Sequence, residues 1–407
     1  MANKENIFTS TFDDAKNDAS GALQGLEVAL QDNICMEQTR TTGGSKMLAD
    51  FVAPYSATVV EKLQNAGAKI MGKTNLRELG VGTADSAFGN PENPSNPEMP
   101  ILGAAVGAAA ALSLKLCQVA VVGDTAGDAR LSAASCNLVG FKPSYGRISR
   151  WGVLAYAGSM DQVAVMANSV KTAAQVAQAL SGIDSRDNTT LDEDVPAYDS
   201  LMGQSVEDFS VAVPANYSEI AQNSDDFAKL VVELQKSGVK IVELELPELD
   251  LVENTFKVIA SCEATSNFSR YDGLYYTHKS AEARTLVEKY AKSRNEGFGE
   301  EVKKQILLGN YYLTGTAYQE FYLQALKQRT VIAQAYNKAL ENCDVLLCPT
   351  LVDKNAGLED FALTAGVNLA GLAALNVTHQ GFNSQIIALP NAEPKLFQFA
   401  AFIEGLS

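Results

Sequence analysis

Met99 to Asn137 reads MPILGAAVGAAAALSLKLCQVAVVGDTAGDARLSAASCN, and two small-residue clusters frame it. Gly103-Ala104-Ala105-Val106-Gly107-Ala108 opens an apolar segment and Gly123-Asp124-Thr125-Ala126-Gly127-Asp128 closes it, with Lys115 the only charge between them. Such clusters let the backbone turn tightly and present N–H groups to a bound oxygen. Ile101 to Val122 is apolar over the length of a membrane span. Its density of Ala and Gly, Lys115 and the glycine flanks instead predict a buried helix followed by a strand, with no membrane role.

The same order of elements recurs on either side. Upstream, Leu26 to Leu30 reads as a strand. Thr58 to Ala66 places Val59, Leu63 and Ala66 on one helical face, Gly67 closes it, and Ala68 to Met71 is a short apolar strand. Pro91, Pro94, Pro97 and Pro100 keep Asn90 to Pro100 irregular, because proline removes donors and restricts the residue before it. Downstream, Asp184 to Asp199 is acid-rich and predicts an exposed loop. Val211 to Pro214, a helix with Ser224 at its start, and Val239 to Leu246 then repeat the pattern. Leu251 to Asn342 is mostly helical, Asp344 to Pro349 is a buried strand, and two further strands and a short helix end the chain. Strands alternating with helices specify an α/β fold, here expected to form one domain over residues 1–407.

Bulk composition narrows the function. Forty-eight acidic against 32 basic residues give a formal charge of -16, which opposes direct binding of nucleic acid or anionic lipid. Six scattered cysteines without a CxxC pair and only two histidines, His278 and His379, are poor stock for a metal, so no metal and no cofactor are expected. The polar start, with early acids and no long apolar core, reads as neither a signal nor a transit peptide, which predicts a cytoplasmic protein with reduced cysteines.

Taken together, Asp32-Asn33-Ile34-Cys35, Ser45-Lys46-Met47-Leu48, Gly72-Lys73-Thr74-Asn75, Ser86-Ala87-Phe88-Gly89, Gly123-Asp124-Thr125, Lys142-Pro143-Ser144-Tyr145-Gly146-Arg147, Glu296-Gly297-Phe298-Gly299 and Asn368-Leu369-Ala370-Gly371 resemble the amidase signature family. Within it they are most similar to the A subunits of the amidotransferases for glutamyl-tRNA(Gln) and aspartyl-tRNA(Asn), over nearly the whole chain. The resemblance implies a central mixed, twisted β-sheet covered by helices on both faces. It also implies a site that hydrolyses glutamine or another small amide, and B-like and C-like partner subunits in a translation-related complex.

The resemblance further implies a lysine, a bridging serine and a nucleophilic serine. Gln31, Ala104 and Asp128 stand at those places, and the last two keep the family's separation of its serines without a gap. Gln31 has no titratable proton and Ala104 no hydroxyl. Thr125, Ala126, Gly127 and Asp128 form the equivalent of the oxyanion loop. An aspartate at a helix start accepts free backbone N–H bonds and is favoured by the helix dipole, so Asp128 is expected to fill the oxyanion hole. Lys46, Lys73, Ser132 and Ser135 lie too far along the chain to rebuild the set. Arg329 matches the family arginine that grips a substrate carboxylate, a task suited to a guanidinium fork. Loss of a nucleophile or base costs on the order of a millionfold in turnover. These changes predict an inactive paralogue, not an enzyme, that acts by subunit docking or by sensing an amide or amino acid. The alternative is an active amidase, or a glutamine-hydrolysing A subunit, with altered catalytic residues.

Overall fold

A computed structural model describes residues 5–12, 19–216, 224–245, 249–353 and 359–406. Its strands are β1 (Phe8–Thr11), β2 (Glu27–Gln31), β3 (Lys69–Thr74), β4 (Val119–Asp124), β5 (Val139–Lys142), β6 (Gln162–Ala167), β7 (Ser210–Pro214), β8 (Lys240–Leu244), β9 (Val345–Pro349), β10 (Ala373–His379) and β11 (Phe382–Ala388). They form one sheet in the order β1-β3-β2-β4-β6-β5-β10-β11-β9-β7-β8. The sheet is mixed: β2 is parallel to β3 and β4, and β7 to β8 and β9, whereas β4, β6, β5, β10, β11 and β9 pair antiparallel in succession.

The helices fall on both faces because successive strand residues point to opposite sides. Val119 and Val121 of β4 join one hydrophobic cluster, with residues of α1 (Thr58–Asn65) and α4 (Val170–Leu180). Ala120 and Val122 join another, with α2 (Val106–Ser113) and α3 (Asp128–Ser135). A strand covered on both faces is continuously apolar, as β4 is from Val119 to Val122. A third cluster holds the helical half, α6 (Leu249–Phe268), α9 (Leu323–Leu340) and α10 (Ala362–Ala370), against Leu346 and Cys348 of β9. Helix α5 (Ser224–Lys236) packs Phe227, Leu230 and Leu234 inward, α7 (Leu286–Gly297) and α8 (Glu300–Tyr312) follow α6, and α11 (Glu393–Gly405) ends the described chain.

The Met99–Asn137 stretch is the predicted buried helix and strand. Every residue of α2 except Ser113 is buried. A Cβ added at Gly107 would lie 2.5 Å from the carbonyl oxygens of Ile7 and Asn75, so only glycine lets these backbones approach. Lys115 stays exposed just beyond the helix, in a left-handed turn at φ 55°. No helix among the described residues is long and apolar enough to cross a membrane.

The acidic loop departs from its expectation near both ends, where Asp184 and Tyr198 are buried. Asp184 is buried, where its carboxylate accepts bonds from Thr58 and from Ser149 at 2.7 Å and pairs with Arg186. Burial opposes the charge, but these donors hold Asp184 well below the usual carboxylate range. The loop is thereby pinned to α1.

Candidate active site

Asp128 opens α3 directly after Gly127, whose φ of 110° is left-handed. Its carboxylate gathers three backbone donors: Oδ1 accepts from Ala104 N at 2.9 Å, and Oδ2 from Thr125 N at 2.9 Å and Ala126 N at 3.4 Å. The turn before α3 and the loop before α2 therefore converge on one side chain. Burial first, and then the charge of Asp124, push Asp128 up to about 6 against the pull of those three N–H groups.

Gln31, at the end of β2, ties the same two segments together. Its Oε1 accepts Gly123 N at 2.5 Å and its Nε2 donates to Ala104 O at 3.4 Å. Lys73 is fully buried on β3 and donates to Thr41 Oγ1 at 2.7 Å, Arg40 O at 3.1 Å and Asp32 at 3.3 Å. Burial lowers its pKa against the attraction of Asp32. Lys46 is exposed beside His278 and Glu296. Ser132 donates to Leu102 O at 2.7 Å, while Ser135 donates to Leu131 O and accepts Leu102 N, so both fasten the loop ahead of α2.

Arg329 is bonded within the protein. Its Nε donates to Leu369 O at 2.8 Å, and its two terminal nitrogens donate to Ser159 Oγ at 2.7 Å and Ser159 O at 2.9 Å. The fork thus joins α9 to the loop before β6. Reading along the chain could not show this, because Ser159 is remote in sequence.

Beneath the turn lies a buried ion pair. Arg130 donates to Asp124 Oδ1 at 3.1 Å and Oδ2 at 3.2 Å, to Gln385 Oε1 at 3.0 Å and to Asn368 Oδ1 at 2.5 Å. Asn368 donates back to Asp124 at 2.9 Å. Although burial opposes the charge of Asp124, Arg130 and Asn368 hold its carboxyl below the usual range. Asp124 also accepts Gly127 N at 2.9 Å, which shapes the turn that presents Asp128.

Asp128 lines a cavity of about 540 Å³ with Arg77, Leu131, Tyr156, Phe256 and Phe361. Phe256 and Phe361 pack with ring centroids 5.2 Å apart. Neither Arg77 nor Tyr156 stands out in the sequence, and nor do Asp161 and Gln162, the polar pair just before the apolar run Val163 to Ala167. Asp161 accepts Thr125 Oγ1 at 2.8 Å and Ala157 N at 3.0 Å. The one local signal is that two polar residues lead into a wholly apolar run.

Titration of Asp128 makes the stability of the fold depend on pH. A carboxyl raised from 3.8 to about 6 keeps its proton longer when folded, so its contribution is full below pH 4 and falls as pH rises to 6. At about 1.36 kcal/mol per decade, the decline is about 3 kcal/mol. Denaturant unfolding at pH 4 and pH 6.5 should show the wild type losing that much relative to Asp128→Ala; parallel curves would refute it.

A mixed sheet wrapped by helices, with a glycine-rich turn and a second small-residue loop aiming N–H groups at one carboxylate, defines an α/β protein with a polar turn at the end of its central strands. The amidase family pattern matches residues 8–391, and the chain belongs to the amidase signature family. A Lactobacillus delbrueckii protein, named as the A subunit of glutamyl-tRNA(Gln) amidotransferase, is 39% identical, covering 98% of this chain and 89% of that protein. Its namesake from Alcanivorax borkumensis is 40% identical over 89% of this chain and 77% of its own length. The solved structure of the Thermotoga maritima protein of the same name superposes with a TM-score of 0.80 at 31% identity, covering 96% of this chain and 85% of its own. The peptide amidase of Stenotrophomonas maltophilia superposes at 0.81 with 25% identity, covering 95% of this chain and 84% of its own.

These relatives correct the expectation of an inactive paralogue. Proteins 36–40% identical along most of the chain are named as part of an amidotransferase, which is an enzyme, and nothing among them points to loss of activity. The implied fold, by contrast, is the one observed.

Proposed function

We propose that this chain is an amide-hydrolysing protein of the amidotransferase A-subunit type, working through altered residues in which Asp128 handles the proton. The observation that carries this is the Asp128 carboxylate, set on the N–H groups of Ala104, Thr125 and Ala126 at the wall of a 540 Å³ cavity. A carboxyl that titrates near 6 is suited to general base and then general acid work at neutral pH.

In this scheme Asp128 takes a proton from water as the water oxygen bonds to the amide carbon. Its charge is neutralised at the moment the carbonyl oxygen becomes negative, so the three N–H groups can turn from the carboxyl to the oxyanion. The proton then passes to the leaving nitrogen, the C–N bond breaks, and a carboxylic acid and ammonia result. Gln31 has no proton to give and holds Gly123 and Ala104 in place.

Glutamine or another small amide is the substrate in this proposal, and B-like and C-like subunits are the partners. The net charge of -16 leaves any contact with tRNA to a more basic partner. Six unpaired cysteines suit a cytoplasmic setting.

The test is ammonia release from glutamine, asparagine and simple amides at high protein concentration. We expect release that rises with pH through about 6 and falls by about 10²–10⁴-fold in Asp128→Ala, the range for a positioned acid–base group. Release equal in the variant, or none in the wild type, would overturn the proposal.

A further inference from the structure

A second, smaller cavity also borders Asp128. Its volume is about 20 Å³ and its polar wall is formed by Gln31, Asn33, Thr125, Asp128, Asp161 and Gln162. The space needed to hold one water is on the order of 10–15 Å³. Gln162 is only 4% exposed and Asn33 only 7%. Yet both polar atoms of the Gln162 amide and the Asn33 carbonyl oxygen are buried without a hydrogen-bond partner in the protein.

Such atoms are rare in folded proteins, and an ordered water is the usual partner. The unpartnered groups comprise an N–H donor and two carbonyl acceptors, which is what one water, both donor and acceptor, can satisfy. Their positions are dictated by the fold. Gln162 opens β6 directly opposite Asp124 of β4, and a Cβ added at the neighbouring Gly123 would come within 3.3 Å of Asn33 Nδ2. Glycine at position 123 therefore leaves the room. Leu79, Val153 and Leu154 add apolar groups to the wall.

We infer that Gln162 and Asn33 are positioning residues that hold a single water beside Asp128, and that this is the water from which Asp128 takes its proton. The role, though not the site, rests on the function proposed above. High-resolution crystal structures grown without ammonium salts should show one ordered water within hydrogen-bond reach of Gln162 and Asn33. The water should be absent in Gln162→Met, which keeps the length of the side chain and removes its amide.

In the same variant, kcat for ammonia release should fall at least tenfold with KM for the amide unchanged and the thermal midpoint kept. A merely structural glutamine would not give that split. A cavity without the water, or with Gln162 and Asn33 rebonded to protein, overturns the site. Water present with kcat unchanged in Gln162→Met overturns the role. Full ammonia release in Asp128→Ala sinks the proposed function separately, with the crystallographic result still deciding the site.

Discussion

Arg130→Leu is expected to destabilise the protein by about 3–5 kcal/mol, the range for removing one partner of a buried ion pair. Arg130 and Asp124 are both fully buried, so the substitution leaves a carboxylate without water and without its guanidinium partner. Gln385 and Asn368 lose a donor as well, and β4, β11 and α10 lose the side chain on which they meet. Denaturant midpoints would show the loss directly. Adding Asp124→Asn to Arg130→Leu should recover part of it, because the uncompensated charge then disappears. A variant within about 1 kcal/mol of wild type would show that the pair is not what organises this corner. Asp124 also shapes the turn through Gly127 N, so the single variant should lose the placement of Asp128 even under conditions where it remains folded.

Gly127→Ala is expected to be nearly as severe. The residue has φ 110°, and an added Cβ would lie 2.1 Å from Thr364 Oγ1 and 2.3 Å from Thr364 Cβ. Two separable effects follow. The left-handed backbone disfavours any L side chain by about 1–2 kcal/mol. The overlap with Thr364, which also bonds Ala126 O at 2.5 Å, forces α3 and α10 apart, and overpacking of this kind typically costs about 1–3 kcal/mol. A double-mutant cycle distinguishes them. Thr364→Gly should relieve the overlap and leave the backbone strain, so Gly127→Ala should do less harm in that background than in the wild type. Additive losses would show that the conformation of residue 127 alone matters.

Much of the architecture is readable from local signals. The helix of α1, with Gly67 after it, and the apolar runs of β4 and β9 follow from periodicity and from residue chemistry acting over a few neighbours. The small residues of α2 announce close backbone approach, and Gly107 shows where that approach occurs. Arg329 has the chemistry of a substrate grip, yet its donors go to Ser159 and Leu369, because the ridge of α9 faces the loop before β6. Asp161 and Gln162 give only the signal of two polar residues leading into an apolar run, a pattern that is the same whether the pair faces solvent or a cavity.

Residue order and side-chain type are enough to specify the α/β class, the family, and which residues stand at positions 31, 104 and 128, because all of these are properties of spacing along the chain. Three-dimensional packing alone brings the N–H of Ala104 to the Asp128 carboxylate, shares Arg130 with Asn368 and Gln385, and brings Gln162 and Asn33 to one small cavity. The difference comes from distance along the chain. Each contact joins segments brought together by strand order and register in the mixed sheet, and burial then sets the charge and hydrogen bonding of groups whose identity alone leaves them open.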